Sequence, residues 1–190
     1  MECIEADESN LESIAQIHVR SLPDDVFANL GERYLISFYR KALTNEDQSL
    51  LIVRDNDQTA GFCLVSFRRQ SLLKSASVAF YVQALRLFLT KPRVFFSGVL
   101  QFLQLGKVDL GKSAEIDFFA VDPIFQSKGL GTSMLEFATV KAKGKGMKYI
   151  HTKTSNLRLA RFYKNRLNAR EKYGLEIFGV NYSVLQWEIF

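Results

Sequence analysis

Apolar residues recur along the chain with two different periods, and the alternation between them outlines an order of elements. Cys3 to Asp7 reads as a short strand. Leu11, Ile14, Ala15, Ile17, His18 and Val19 then recur at helical spacing behind Ser9 and Asn10, either of which suits a helix N-cap, and the pattern stops at Pro23. Phe27, Leu30, Tyr34, Leu35, Phe38 and Tyr39 predict a second helix over Val26–Leu43. Two β-prone runs, Ser49–Arg54 and Thr59–Arg68, are split by Asp55-Asn56-Asp57-Gln58, which predicts a hairpin.

Ser71 to Lys112 is apolar around much of a helical circumference and is broken at Pro92, so it reads as two helices. Arg86, Lys91, Arg93 and Lys107 interrupt and flank it. Such a pair either completes the core, forms a homodimer contact, closes a binding site as a lid, or rests on a membrane surface as a basic amphipathic element.

Ala114–Val121 reads as a buried strand ended by Asp122-Pro123, because proline cannot donate to a ladder and restricts the residue before it. A Gly-containing turn, Gln126-Ser127-Lys128-Gly129-Leu130-Gly131, leads into a helix from Thr132 to about Lys143, ended by Gly144 and Gly146. Lys148–Lys153 is a further strand, Asn156–Leu167 a helix, and Ala169–Phe178 with Asn181–Ile189 a strand pair around Gly179. The strand-helix-strand passage requires a parallel pair and the hairpins antiparallel ones. The fold class is therefore α/β (α+β): a mixed, mostly antiparallel central sheet flanked by helices, one domain over 1–190 with a helical insert at about 70–112.

Composition narrows the field. The chain has 190 residues, 47% hydrophobic, enough for one full core, and a net charge of +5 that suits polyanionic ligands. The basic residues are dispersed, with no aromatic-interleaved basic block of the kind that grips nucleic acid. Cys3 and Cys63 stand far apart, which argues against a disulfide scaffold or a zinc site and fits a reducing cytosol. The acidic start of the sequence lacks a signal peptide's order, and no apolar run reaches membrane-spanning length, so the expected setting is cytoplasmic.

The chemistry concentrates around the Gly-containing turn. A helix start presents free N–H groups and a positive dipole end to an anion; glycines let a phosphate approach the backbone, and Lys128 adds charge. A second phosphate motif, Gly106-Lys107-Val108-Asp109-Leu110-Gly111-Lys112-Ser113, fits G-x-x-x-x-G-K-S/T. It lies between an expected helix and an expected strand, the reverse of the order a nucleotide-hydrolase loop needs.

The strand with its small-apolar-Asp-Pro corner, followed by Q-x-x-G-x-G, resembles the GNAT superfamily of N-acetyltransferases, as does the element order. The similarity is strongest from Ala114 to Leu167. It implies a fold in which the fourth and fifth strands splay apart to admit acetyl-CoA, with no metal. It also implies that Gln126, Ser127, Lys128, Gly129, Leu130, Gly131 and Thr132 cradle the pyrophosphate, while Phe119, Ala120 and Val121 pair with the pantetheine arm.

Ala114–Gly131 has the register of the histone-acetylating branch, where a matching Glu is the base; this makes Glu115 the leading base and Asp117, two residues on, the runner-up. A carboxylate on an apolar strand is expected to have a raised pKa. Asn156-Leu157-Arg158-Leu159-Ala160-Arg161-Phe162-Tyr163 resembles the family's N-x-x-A-x-x-Φ-Y helix (Φ apolar), implying an Asn156 contact with the coenzyme and Tyr163 as proton donor to the thiolate. Its small residue, Ala160, sits one place late, and the family's K-L-G-F sequence does not follow. His18 and His151 read as packing histidines.

The expected function is acetyl transfer to a primary amine of a small-molecule acceptor, such as an amino sugar or lipid-linked precursor, with the insert as the place for any peripheral membrane contact. A non-catalytic acyl-CoA-binding module is the alternative.

Overall fold

The computed structural model describes residues 1–68, 78–105 and 111–189. Seven strands, β1 (Glu2–Glu5), β2 (Gln48–Asp55), β3 (Gln58–Ser66), β4 (Ser113–Val121), β5 (Tyr149–Thr154), β6 (Arg170–Ile177) and β7 (Val180–Glu188), form one sheet in the order β1-β2-β3-β4-β5-β7-β6. Every neighbouring pair is antiparallel except β4 and β5. The helices are α1 (Leu11–Ser21), α2 (Val26–Leu30), α3 (Glu32–Leu43), α4 (Val78–Thr90), α5 (Pro92–Leu105), α6 (Leu130–Gly144) and α7 (Leu157–Leu167).

Both faces of the sheet are covered, which is why β2 and β3 read as nearly continuous apolar runs. On one face α1 and α3 pack Leu11, Ile14, Leu35 and Tyr39 against Leu50, Ile52, Phe62 and Leu64. On the other, α6 and α7 pack Met134, Leu135, Ala138 and Tyr163 against Leu51, Val53, Cys63, Val65 and Ile150. Each fully buried large side chain stabilises the fold by roughly 1.5–3 kcal/mol. His18 belongs to the first layer: fully buried, it meets the Tyr39 hydroxyl through Nδ1 at 2.6 Å and Asp25 through Nε2 at 3.1 Å.

The single helix expected over Val26–Leu43 is two helices. Gly31 has φ +93°, a backbone state that ends α2 and starts α3 in a new direction and that L-residues rarely adopt. Asp25 caps α2, accepting hydrogen bonds from the N–H groups of Phe27 and Ala28. The other turns follow their chemistry: Asn56 and Asp57 both have positive φ in the β2–β3 hairpin, and Pro92 opens α5.

One irregularity in β4 organises the rest. Ile116 pairs with Val65 and Phe118 with Leu64, leaving Asp117 between them as a bulge. Ala114 and Ile116 therefore face α6 and α7, whereas Phe118 and Ala120 face α1 and α3. Without the extra residue the alternation would have buried Phe118 on the opposite layer.

Candidate active site

The parallel pairing of β4 with β5 runs from Ser113 to Ile116 against Tyr149 to Thr152 and then stops. The Thr152 hydroxyl donates to the Ile116 carbonyl at 3.2 Å, pinning the apex of the split. Beyond it β5 continues on β7 and β4 on β3. Among the described residues, Phe119, Ala120 and Val121 consequently present one backbone edge that carries no strand, a ready template for an extended amide-bearing ligand.

The chain leaves β4 at Asp122, which is buried, ion-paired with Arg20, and accepts from the Ile124 N–H at 3.2 Å. Gln126 Nε2 donates to the Val121 carbonyl at 3.1 Å, so that side chain braces the corner. Ser127 and Gly129 have φ of +67° and +79°, and α6 begins at Leu130, two residues before its expected start. Among the described residues the N–H groups of Ser127, Gly129, Leu130 and Gly131 have no hydrogen-bond partner, whereas that of Lys128 closes the turn at Gln126–Ser127 and that of Thr132 donates to the Gly129 carbonyl. Four such groups at a helix start with left-handed residues form a concavity whose polarity suits an anion. The turn lies close against β4: a Cβ on Gly131 would sit 3.3 Å from the Phe119 ring. Lys128 pairs with Asp55 at 2.8 Å and lies over the Phe125 ring, so its charge is already matched.

Two carboxylates stand where the strands part. Glu115 is held by Lys153 at 2.9 Å and faces His151 Nε2 at 3.7 Å, the second distance being an electrostatic contact rather than a hydrogen bond. His151 Nδ1 meets Ser113 Oγ at 2.8 Å. Burial pushes the Glu115 carboxyl up, but His151 and Lys153 together outweigh it and hold the group at about 2. The expectation of a raised pKa therefore fails for Glu115, because β5 brings the His151 ring and the Lys153 ammonium to it. It holds for Asp117, where burial first and the Glu115 charge next push the carboxyl up to about 7, against a 2.5 Å hydrogen bond from Ser66 and the charge of Lys153. Neighbouring carboxylates whose environments drive them apart are a common arrangement in acid–base sites.

Tyr163 lies on α7 in the second core layer, stacked on Trp187 at 5.4 Å between ring centroids and 6.5 Å from Phe119. Burial pushes its hydroxyl well above the ordinary value, so it stays protonated. Asn156 is the N-cap of α7, its side-chain Oδ1 accepting from the N–H groups of Arg158 and Leu159.

His151 and Lys153 escaped notice as site residues. The parallel register pairs Glu115 with His151, and the two-residue period carries Lys153 to the same face, so register was the signal. Gly106–Ser113 falls partly outside the described residues, yet α5 precedes it and β4 follows, which rules out the strand-loop-helix order of a nucleotide-hydrolase loop. A cleft of about 490 Å³ lined by Arg20, Arg54, Asp57 and Asp122 includes none of Glu115, Asp117 and Tyr163. Among the described residues no group of three or more His, Cys, Asp and Glu is gathered to hold a metal.

A seven-stranded sheet parted at its parallel pair, with an anion-binding turn after the fourth strand, is the architecture of an acetyltransferase. The profile of the Acetyltransferase (GNAT) family matches residues 11–168, and the chain belongs to that family of acetyl-CoA-dependent acetyltransferases. No curated protein matches it in sequence. Solved structures share the fold at low identity. A GNAT-family protein from Desulfovibrio desulfuricans superposes with TM-score 0.67 and 12% identity over 100% of this chain and 99% of its own. YncA from Salmonella typhimurium, solved with its cofactor acetyl-CoA, gives 0.65 and 13% over 100% and 94%. The ribosomal-protein-alanine N-acetyltransferase of Brucella melitensis gives 0.66 and 10% over 99% of each chain.

Proposed function

We propose that the chain transfers an acetyl group directly to a primary amine within one ternary complex, at the β4–β5 split. Bound there, acetyl-CoA supplies a reactive thioester. One juxtaposition carries the reading: the turn bearing the free N–H groups of Ser127, Gly129, Leu130 and Gly131 lies against the edge Phe119–Val121, which carries no strand among the described residues. The first suits a pyrophosphate and the second the amides of a pantetheine arm. Gln126 and Thr132 shape the turn, and the Asn156 amide contacts the coenzyme from α7.

Asp117 takes a proton from the acceptor ammonium, having a proton affinity matched to neutral pH. Glu115, kept ionised by Lys153, maintains that affinity through its charge. Tyr163 gives its hydroxyl proton to the departing thiolate. The acceptor amine is carried by a small molecule, an amino sugar or a lipid-linked precursor. Supporting this, an unbroken chain of ring contacts, Phe118–Phe27–Tyr34–Phe80, ties α4 to the strand that bears the two carboxylates.

Calorimetry with acetyl-CoA, then thiol release over a panel of amines, tests the proposal. Asp117→Asn and Tyr163→Phe should each lower kcat, by about 100-fold for the base, with coenzyme affinity retained. Absence of binding heat, or full turnover by both variants, would overturn it.

A further inference from the structure

The α4–α5 hairpin carries its apolar side chains away from the core. At about 100° per residue, Phe88, Tyr81, Leu85, Leu89 and Val82 fall on an arc of about 120° of α4. All are exposed, Leu85 by 60% and Leu89 by 70%. Leu87 and Phe80, which point the other way, make the inward contacts: Leu87 is buried and Phe80 meets Tyr34. Phe96 and Val99 continue the exposed face onto α5, joined to it by the Phe88–Phe96 ring contact. The hairpin is seated firmly on its inner side. Gly98 packs so tightly that a Cβ there would come within 2.4 Å of Val26, and Lys91 donates to Asn29 at 2.7 Å.

The charge around this face has one sign. Between Asp57 and Asp109 the sequence has seven Lys and Arg and no Asp or Glu. Arg86 and Arg93 border the apolar arc, exposed and in no ion pair among the described residues. An apolar arc rimmed by basic residues complements a surface that is apolar beneath and anionic on top. With 13 and 14 residues, α4 and α5 fall short of the roughly 20 needed to span a bilayer, and no described helix is long and apolar enough to cross one.

We propose that α4–α5 dock the protein on the surface of an anionic lipid bilayer. Tyr81, Val82, Leu85, Leu89, Phe96 and Val99 enter the headgroup–acyl boundary, and Arg86 and Arg93 meet lipid phosphates. The docking itself does not depend on the acetyl-transfer reading.

Flotation of the chain with vesicles tests it. With phosphatidylcholine mixed equally with phosphatidylglycerol the protein should float, and with phosphatidylcholine alone it should largely stay behind. Leu85→Glu with Leu89→Glu should abolish flotation. Arg86→Gln with Arg93→Gln should lower partitioning onto the anionic vesicles by about 30-fold, about fivefold for each basic side chain. Both variants should melt with the parent and bind acetyl-CoA as it does, which separates loss of docking from failure of the transferase reading. If the double Glu variant melts lower, the Arg pair alone decides. The proposal is overturned if the parent floats with neither vesicle, if neither double variant reduces flotation, or if light scattering finds a dimer that the Glu variant splits, since a second copy would then cover the face.

Discussion

Replacing Glu115 by Gln should lower the proton affinity of Asp117, although the substitution leaves Asp117 itself untouched. The two residues lie two positions apart on β4, a separation of about 6 Å where the bulge at Asp117 shortens the regular rise. Two unit charges at that distance repel by about 3 kcal/mol at an effective dielectric of about 20. Lys153 at 2.9 Å already cancels part of the Glu115 charge, and the Glu115 side chain is 25% exposed, so about half of that repulsion reaches Asp117. Removing it takes Asp117 from about 7 to about 6. Lys153, released from its partner, acts in the same direction. Burial persists and keeps the group above its ordinary value. Carboxyl ¹³C NMR titration of aspartate-labelled protein reads the midpoint without needing an acceptor, and the acid limb of kcat/KM should move with it once an amine is in hand. A midpoint that stays or rises refutes the electrostatic argument. Abolished turnover with an unmoved midpoint would make Glu115 the base instead.

The same carboxyl sets a pH dependence of stability. Asp117 binds its proton more tightly folded than unfolded, so its contribution falls as pH rises from its ordinary 3.8 through about 7. Asp117→Asn lacks that loss and should gain about 2 kcal/mol relative to the parent at pH 8 compared with pH 4, after discounting for solvent access; thermal melts showing the same difference at both pH values would contradict it. Gly131→Ala adds a methyl group 3.3 Å from the Phe119 ring, a contact that a small shift relieves at a cost of about 1 kcal/mol. Because that methyl sits among the turn's N–H groups, acetyl-CoA affinity should fall by about tenfold or more, and an unchanged Kd in calorimetry would move the pyrophosphate elsewhere.

Much of the fold was legible in the chain because the forces that set it act over a few residues. Helical spacing marked α1, α4, α5 and α7; Pro92 marked the hairpin bend, Asn156 the start of α7, and the two glycines the start of α6. The break at Gly31 was missed because the apolar period runs through it, and only its positive φ turns the chain. The bulge at Asp117 was equally hidden, since one extra residue leaves the sequence unmarked and is defined by pairing with β3. The sequence by itself determined the element order, the anion-binding turn and a strand bearing two carboxylates. Which carboxylate keeps its proton, and where the sheet opens, only the tertiary structure decided. Both depend on partners distant in the chain: Lys153 and His151 reach Glu115 across the β4–β5 pair, Ser66 reaches Asp117 from β3, and an opening is a place where pairing stops. Charge and solvent act through space, and folding alone sets those distances.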